Sequence, residues 1–448
     1  QNNYNLNFIK KLSSNKNILQ SNDLLKNSFF LISFNQSFYF NSNLPNLENL
    51  DGLYIPKGSG LYSSIFYLFD SKYLELTIEP TVKYSRQYKL TIPEKLNQFS
   101  VLNDVPKSNQ IKHTTFKNTG IKLKTRTLSL GAGNWNKWWG PGIHNSLVLS
   151  NNAEGFYHYY IGTDGYQPVF ENFNYNFKYM VSEKIKYFKD SSYYFSAWFL
   201  ELKYKIIQIG IAKNIISGGY PDFKWDINNA ATVLLDNNNL MYWDTINSYY
   251  ISGNYDNNLM IFIELAFPKR NFGEKDINTY WDHSMASNLG LRKQGAFGSD
   301  YLTFGFEYTR LAQGIYYNSL PTSNWYDNKR NNYSSFKGRR WAAHSGSDSD
   351  DFLVFLGYVD NIFSFIYSFN FERHGITYSF PPEVKFENII SAGFNLQRTS
   401  FYLHYEYEYF EHYGFVDNNK NVWNETFEDG SRQFTHTVLL RVEHLINF

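Results

Sequence analysis

Along much of this chain, side chains alternate residue by residue between apolar and polar, and that period of two limits the fold more than any other feature. In 362–371 one phase is Phe363, Phe365, Tyr367, Phe369 and Phe371, and the other is Ile362, Ser364, Ile366, Ser368 and Asn370. In 401–410 the apolar phase Phe401, Leu403, Tyr405, Tyr407 and Tyr409 opposes His404, Glu406 and Glu408. The same rhythm sets Leu74, Leu76 and Ile78 against Glu75, Thr77 and Glu79, and Leu302, Phe304, Phe306 and Tyr308 against Thr303, Gly305, Glu307 and Thr309. It also sets Tyr194, Trp198, Leu200, Leu202 and Tyr204 against Glu201, Lys203 and Lys205. Successive side chains of a strand point to opposite faces of a sheet, so each block is a two-faced β-strand.

Two architectures use such strands. A soluble sandwich buries the apolar phase; a transmembrane barrel turns it to lipid and keeps the polar phase for the lumen. The blocks run about 9–11 residues, enough to cross a bilayer at a tilt, and aromatics crowd the strand ends as interfacial girdles require. Composition agrees: aromatic residues make up 20% of the 448, and charged residues only 19%, against about 25% in a typical soluble domain. No run of roughly 18 apolar residues would make a membrane helix. So rich a supply of aromatic and β-branched residues excludes intrinsic disorder. The formal net charge of +1 offers no global basic field for nucleic acid. With no cysteine, disulfides, thiolate metal sites and a cysteine nucleophile are excluded.

An open sheet edge in hydrocarbon leaves unpaired backbone groups, so the strands must close on themselves. At roughly 22–26 residues per strand and connection, the chain supports a closed antiparallel transmembrane β-barrel of about 16–18 strands, all-β with minor helical segments. Residues 1–50 are Asn- and Lys-rich and read as a mixed helical or irregular segment outside the membrane, before a barrel over 51–448. Long loops are expected at 93–114, 214–258 and 318–350, with a short helix within 226–240. Val438, Leu440, Val442 and Ile446 share a phase ending on Phe448, a pattern similar to the terminal signal that barrel-assembly machinery reads on outer-membrane barrels. The start, Gln1-Asn2-Asn3-Tyr4, has neither the basic nor the apolar region of a signal peptide, so an exported chain would be present here in its mature form.

The segment 133–153 combines an aromatic cluster (Trp135, Trp138, Trp139), a Gly140-Pro141-Gly142 turn, and then His144-Asn145-Ser146-Leu147-Val148-Leu149-Ser150-Asn151-Asn152-Ala153. It resembles the W-W-G-P-G-x-x-N-S-L-x-L-S-N-N-A core of the Wzi-type capsule assembly proteins. Asp51-Gly52, Gly58, Gly60 and Leu61, the strand 74–80, Glu307-Tyr308-Thr309 and 346–350 look like further landmarks of that family, so the resemblance spans 45–400. It implies an outer-membrane β-barrel with associated helical elements that attaches capsular polysaccharide to the surface of a diderm cell in a lectin-like manner, without catalysis. The expected partners are outer-membrane lipid and lipopolysaccharide, capsular polysaccharide and the barrel-assembly machinery, and the sequence leaves open whether the protein works alone or inside a larger outer-membrane complex.

The residues themselves leave more than one role open. The indoles of Trp135, Trp138 and Trp139 suit stacking on sugar rings and suit turn packing equally. His144, Asn145, Ser150, Asn151 and Asn152 offer groups for sugar hydroxyls or for the backbone of a loop folded into the lumen. Arg339, Arg340 and Trp341, near Lys329 and Arg330, form a basic-aromatic patch fit for an acidic polysaccharide or for lipopolysaccharide. Asp348, Asp350 and Asp351 lack the full spacing of a calcium loop. His404, Glu406 and Glu408 share one face, as a polar barrel interior requires without any chemistry. Neither a nucleophile elbow nor a phosphate-cradling glycine loop is present. The reading is therefore a non-enzymatic, cofactor-free, metal-free outer-membrane barrel that binds and organises capsular or other surface polysaccharide. A substrate-selective porin for saccharides or small solutes is the alternative.

Overall fold

A computed structural model describes residues 29–46, 48–51, 53–85, 112–186, 192–218, 229, 244–255, 258–268, 285–311, 325–326, 335–337, 339–376, 381–415 and 432–447. Eighteen antiparallel strands close into a barrel. In chain order they are β1 Phe29–Asn41, β2 Gly58–Asp70, β3 Leu74–Ser85, β4 Lys112–Lys124, β5 Leu128–Gly133 and β6 His158–Thr163. Then come β7 Phe173–Ser182, β8 Ser192–Tyr204, β9 Ile207–Gly218, β10 Asp244–Tyr255, β11 Leu259–Pro268 and β12 Ala286–Ala296. The last six are β13 Ser299–Arg310, β14 Ser349–Val359, β15 Phe363–His374, β16 Glu383–Leu396, β17 Thr399–Glu411 and β18 Gln433–Asn447. Two short segments, Gln167–Phe170 and Ile185–Lys186, prolong the pairing on either end of β7. Each strand pairs with its neighbours in the chain, and β1 pairs with β18 in register from Leu31↔Asn447 to Asn41↔Thr437, which closes the cylinder.

The alternation sorts the side chains inside out. In β15, Phe363, Phe365 and Tyr367 are exposed on the outer wall, whereas Ser364, Ile366, Ser368 and Asn370 are buried inside. In β17, Phe401 and Leu403 face outward, and His404, Glu406 and Glu408 face the lumen. The outward phase of β18 includes Leu440 and Val442; Phe448 lies outside the described residues.

The strand order gives the barrel two unlike ends. Short connections join β2 to β3, β8 to β9, β12 to β13, β14 to β15 and β16 to β17 at the end where β1 begins and β18 finishes. Phe297 and Gly298, between β12 and β13, both have positive φ (54 and 78), the backbone that tight two-residue hairpins require. The connections at the other end are long.

Two expected boundaries shift. Within 1–50, residues 29–41 form β1, a full wall strand. Its Phe34, Phe38 and Phe40 face out while Ser33, Ser37, Tyr39 and Asn41 face in, an alternation hidden by the Asn-rich average of the region. Within 214–258, β9 continues to Gly218 and residues 244–255 form β10. In β10 Ser248 and Ser252 line the packed lumen, while Tyr249 and Ile251 face out. The loop expected at 93–114 overlaps β4 from Lys112 and that at 318–350 overlaps β14 from Ser349. Residues 1–28, 93–111 and the helix expected in 226–240, Asn229 apart, lie outside the described residues. A 3-10 turn, Tyr413–Phe415, follows β17.

Candidate functional site

Three long connections fold into the lumen rather than away from it: the described part of 42–57 after β1, 134–157 after β5, and the described part of 311–348 after β13. They interlock. The amide of Asp51 donates to the Asn151 carbonyl at 2.8 Å, that of Ser150 to the Trp341 carbonyl at 2.6 Å, and that of Trp139 to the Leu149 carbonyl at 2.9 Å. Asn152 is a hub. Its Nδ2 donates to the Arg340 carbonyl (3.0 Å), and its Oδ1 accepts from the Asn49 amide (3.1 Å) and the Arg339 guanidinium (2.7 Å). Together these segments form a plug.

The Gly140-Pro141-Gly142 turn seats the plug on the wall. It aims three successive amides, those of Ile143, His144 (2.9 Å) and Asn145 (2.7 Å), at the carboxylate of Glu307 on β13. A carboxylate accepting several N–H groups is a strong charge-assisted anchor. Glycine is required at position 142 because a Cβ there would lie 1.8 Å from the Asn145 carbonyl oxygen. Gly140 has φ +127, a backbone that side chains rarely adopt, with the Glu264 carboxylate of β11 next to it.

On one side the plug–wall contact is apolar. Trp139, Leu147, Val148, Leu149, Phe156, Trp325, Tyr326 and Trp341 pack on Phe195, Ala197, Phe199, Ala212, Ala266 and Ala286 of the wall. The Trp341 ring lies 4.8 Å from Phe195 and the Trp139 ring 5.0 Å from Phe199. Small inward alanines on β8, β9, β11 and β12 leave room for these large rings. Polar bonds cross the same contact: Asn214 Nδ2 donates to the Val148 carbonyl (2.8 Å) and the Tyr193 hydroxyl to the Ser335 carbonyl (2.8 Å), while within the plug the Tyr326 hydroxyl donates to the Leu147 carbonyl (2.9 Å).

On the opposite side the contact is ionic. Lys385 of β16 is buried between Glu48 of the plug and the wall carboxylates Glu387 (2.5 Å), Glu372 (3.5 Å) and Glu408 (3.8 Å). Asn46 Nδ2 donates to Glu406 at 2.5 Å. His344 Nε2 stands 3.3 Å from both Asp351 and Glu372 and 3.6 Å from Glu48. His144 Nε2 is 3.4 Å from Asp351, and the two imidazoles meet edge to face at 4.3 Å. Burial, followed by the neighbouring His344, holds His144 well below the usual histidine range, so it is neutral at pH 7.

The residues singled out from sequence come together here, though the protein itself engages them. Trp139, His144, Asn145, Ser150, Asn151, Asn152, Arg339, Arg340 and Trp341 are all buried in the plug. Trp135 and Trp138 are half-buried, their indole N–H groups donating to Thr77 Oγ1 (2.7 Å) and the Gly142 carbonyl (3.1 Å). Ser150 Oγ donates to the Ala342 carbonyl (2.6 Å), and Asn145 Nδ2 to Asp351 (2.6 Å). Of the two roles open to these residues, the fold shows them packed into a plug; contact with a sugar is a separate matter from this packing. Asp350 turns to Arg373 while its neighbour Asp351 faces the histidines, so the aspartates of 348–351 do not converge as a calcium loop would. His404 contacts Glu406 at 3.0 Å within the polar wall. Sequence reasoning missed Glu48, Asn49, Glu264, His344, Asp351 as a plug partner, Glu372, Lys385 and Glu387. The available signal was acidic residues recurring on the inward phase of strands whose outward phase is aromatic.

The family described as Capsule assembly protein Wzi matches residues 45–358. Among solved structures, the barrel is similar to Wzi of Escherichia coli, described as an outer membrane protein involved in group 1 capsule assembly and a carbohydrate-binding β-barrel. That likeness has a TM-score of 0.62 at 8% identity over 91% of this chain and 83% of that one. OccAB4 of Acinetobacter baumannii follows at TM-score 0.50 and 10% identity, over 95% and 99% of the two chains. At these identities the likeness establishes the fold alone. No curated relative matches the sequence.

Proposed function

The chain belongs to the Wzi family of capsule assembly proteins, and from that premise we propose that it holds capsular or a related surface polysaccharide at the cell surface without catalysing a reaction. It resides in the bacterial outer membrane. The observation that carries the reading is the plug. Three connections are hydrogen-bonded to one another and to wall strands on opposite sides of the lumen, which suits a binding platform better than a conduit. In this reading the 133–153 motif shapes the closed mouth, and polysaccharide lies across the outer end built by the long connections. Lipopolysaccharide contacts the apolar outer wall, and the assembly machinery reads β18.

The test pairs binding with conduction. Protein purified in detergent should retain the capsular polysaccharide of its own cell on a matrix, and a deletion strain should shed polysaccharide into the medium. In planar bilayers the same preparation should show no stable conductance steps. Steady single-channel currents together with normal capsule retention in the deletion strain would replace this reading with the selective porin.

A further inference from the structure

We infer that the junction of plug and wall is a binding site for one divalent transition-metal ion of the zinc type, held by His144, His344, Glu48 and Glu372 with Asp351 beside them. The donor atoms of the first four all lie within 4.8 Å of one another. In a tetrahedral site with bonds of roughly 2.0–2.2 Å, ligand atoms stand about 3.3–3.6 Å apart. Between named ligands, His344 Nε2 stands 3.3 Å from Glu372 and 3.6 Å from Glu48, and Asp351 offers a further donor 3.3 Å from His344 Nε2 and 3.4 Å from His144 Nε2. These are long for hydrogen bonds and right for the edges of a coordination polyhedron.

Proton bookkeeping points the same way. Three carboxylates crowd the single nitrogen His344 Nε2, which carries at most one N–H. His144 Nε2 lies 3.0 Å from the Asn370 amide nitrogen, a contact that the ion would replace on binding. Asp351 Oδ1 is buried and has no hydrogen-bond partner among the described residues. The Lys385 ammonium is shared among Glu48, Glu372, Glu387 and Glu408, and Glu372 also meets His374 at 3.1 Å, so these four carboxylates together with Asp351 outnumber Lys385 and His374. Two imidazoles with carboxylates form a donor set that zinc accepts. One outer-shell contact is built as well: Asn145 Nδ2 holds Asp351 at 2.6 Å.

The topology gives the ion a purpose. Glu48, His144 and His344 come one each from the three plug connections, and Glu372 from β15. A single cation therefore staples the whole plug to the wall, at the place where the apolar contact is missing.

The experiment uses the full chain in detergent, stripped with EDTA, dialysed, loaded with Zn2+ alone, desalted and analysed for bound metal. We expect one retained equivalent per chain. With Co2+ in its place we expect the visible bands of a four-coordinate site. His144→Ala and His344→Ala, each confirmed as folded by heat-modifiable migration in gels, should drop to near none, while the outward-facing His436→Ala keeps its equivalent. If the histidine variants do not fold, Glu372→Gln, which preserves shape, should weaken Zn2+ binding at least 10-fold. Failure of the folded parent chain to retain zinc, equal retention by the histidine variants, or unchanged affinity in Glu372→Gln would each overturn the inference. None of these readouts involves polysaccharide, so the outcome stands apart from the proposed function.

Discussion

The two sides of the plug are held by opposite chemistry, although the same loop contributes to both. Toward β8–β12 the segment 139–149 packs Trp139, Leu147 and Leu149 onto phenylalanines and alanines. Toward β13–β17 its neighbouring residues 143–145 meet carboxylates. The apolar side resembles a soluble core, where shape and volume decide stability. The ionic side is bound by direction: each amide, imidazole and carboxylate must meet its partner, because a buried polar group left alone is costly. An apolar contact alone tolerates sliding; the carboxylate anchors fix where the plug sits.

The largest effect should come from breaking the anchor between the halves. Glu307→Ala orphans three buried amides, each costing about 1–3 kcal/mol, so a loss of roughly 3–5 kcal/mol is expected for a buried charge partner. Urea unfolding in lipid vesicles measures it, and faster hydrogen exchange confined to 143–147 would locate it. A loss below about 1 kcal/mol would mean that the turn is held by its own packing. On the apolar side, Trp341→Ala removes a ring that is 1% exposed and should cost about 3–4 kcal/mol. This variant differs in kind: the cavity should be partly filled by repacking of Phe156 and Phe195, and 143–145 should keep their exchange protection. Loss of that protection would show that the halves are not independent. Asn46→Ala is smaller. It leaves Glu406 with His404 as partner and should cost about 1–2 kcal/mol, read as a lowered gel-shift temperature.

Much of this fold is legible in the sequence because lipid imposes a strict rule. Outward residues must be apolar along each strand, so Phe363 to Phe371 and Phe401 to Tyr409 announce both strand and face. Closure then follows from the cost of an unpaired edge. The inside is harder to read. Ser, Asn, Glu and His are equally suitable for a water-filled lumen and for a dry polar interface, and only the fold distinguishes them. Asn152 looks like a ligand for sugar hydroxyls until Arg340, 188 residues later in the chain, is found beneath it. The tryptophans pose the same ambiguity: stacking on a sugar and packing on Phe199 call for the same residue. Strand β1 was hidden for a different reason, since its inward Ser33, Ser37 and Asn41 dilute an alternation that pairing with β18 makes plain.

The smallest effect concerns a third side of the plug, where Lys137 lies against Tyr160 of β6. Its ammonium sits 5.3 Å from the rings of both Trp135 and Tyr160, contacts that favour the charged form modestly. Burial, and then the nearby Lys178 and Lys122, outweigh them and push its pKa down to about 7 from near 10.5. The unfolded chain therefore binds more protons than the native one between pH 7 and 10.5, and stability must rise with pH across that window. The contribution is complete above 10.5 and lost as pH falls through 7. The side chain is partly open to water, so solvent screening limits the gain to under about 1 kcal/mol. Lys137→Met keeps the stem against both rings and removes the charge. It should unfold slightly later than the parent at pH 7 and flatten the rise between pH 7 and 9 in vesicle unfolding. An unchanged slope would place the titration elsewhere and leave Lys137 as a solvated charge.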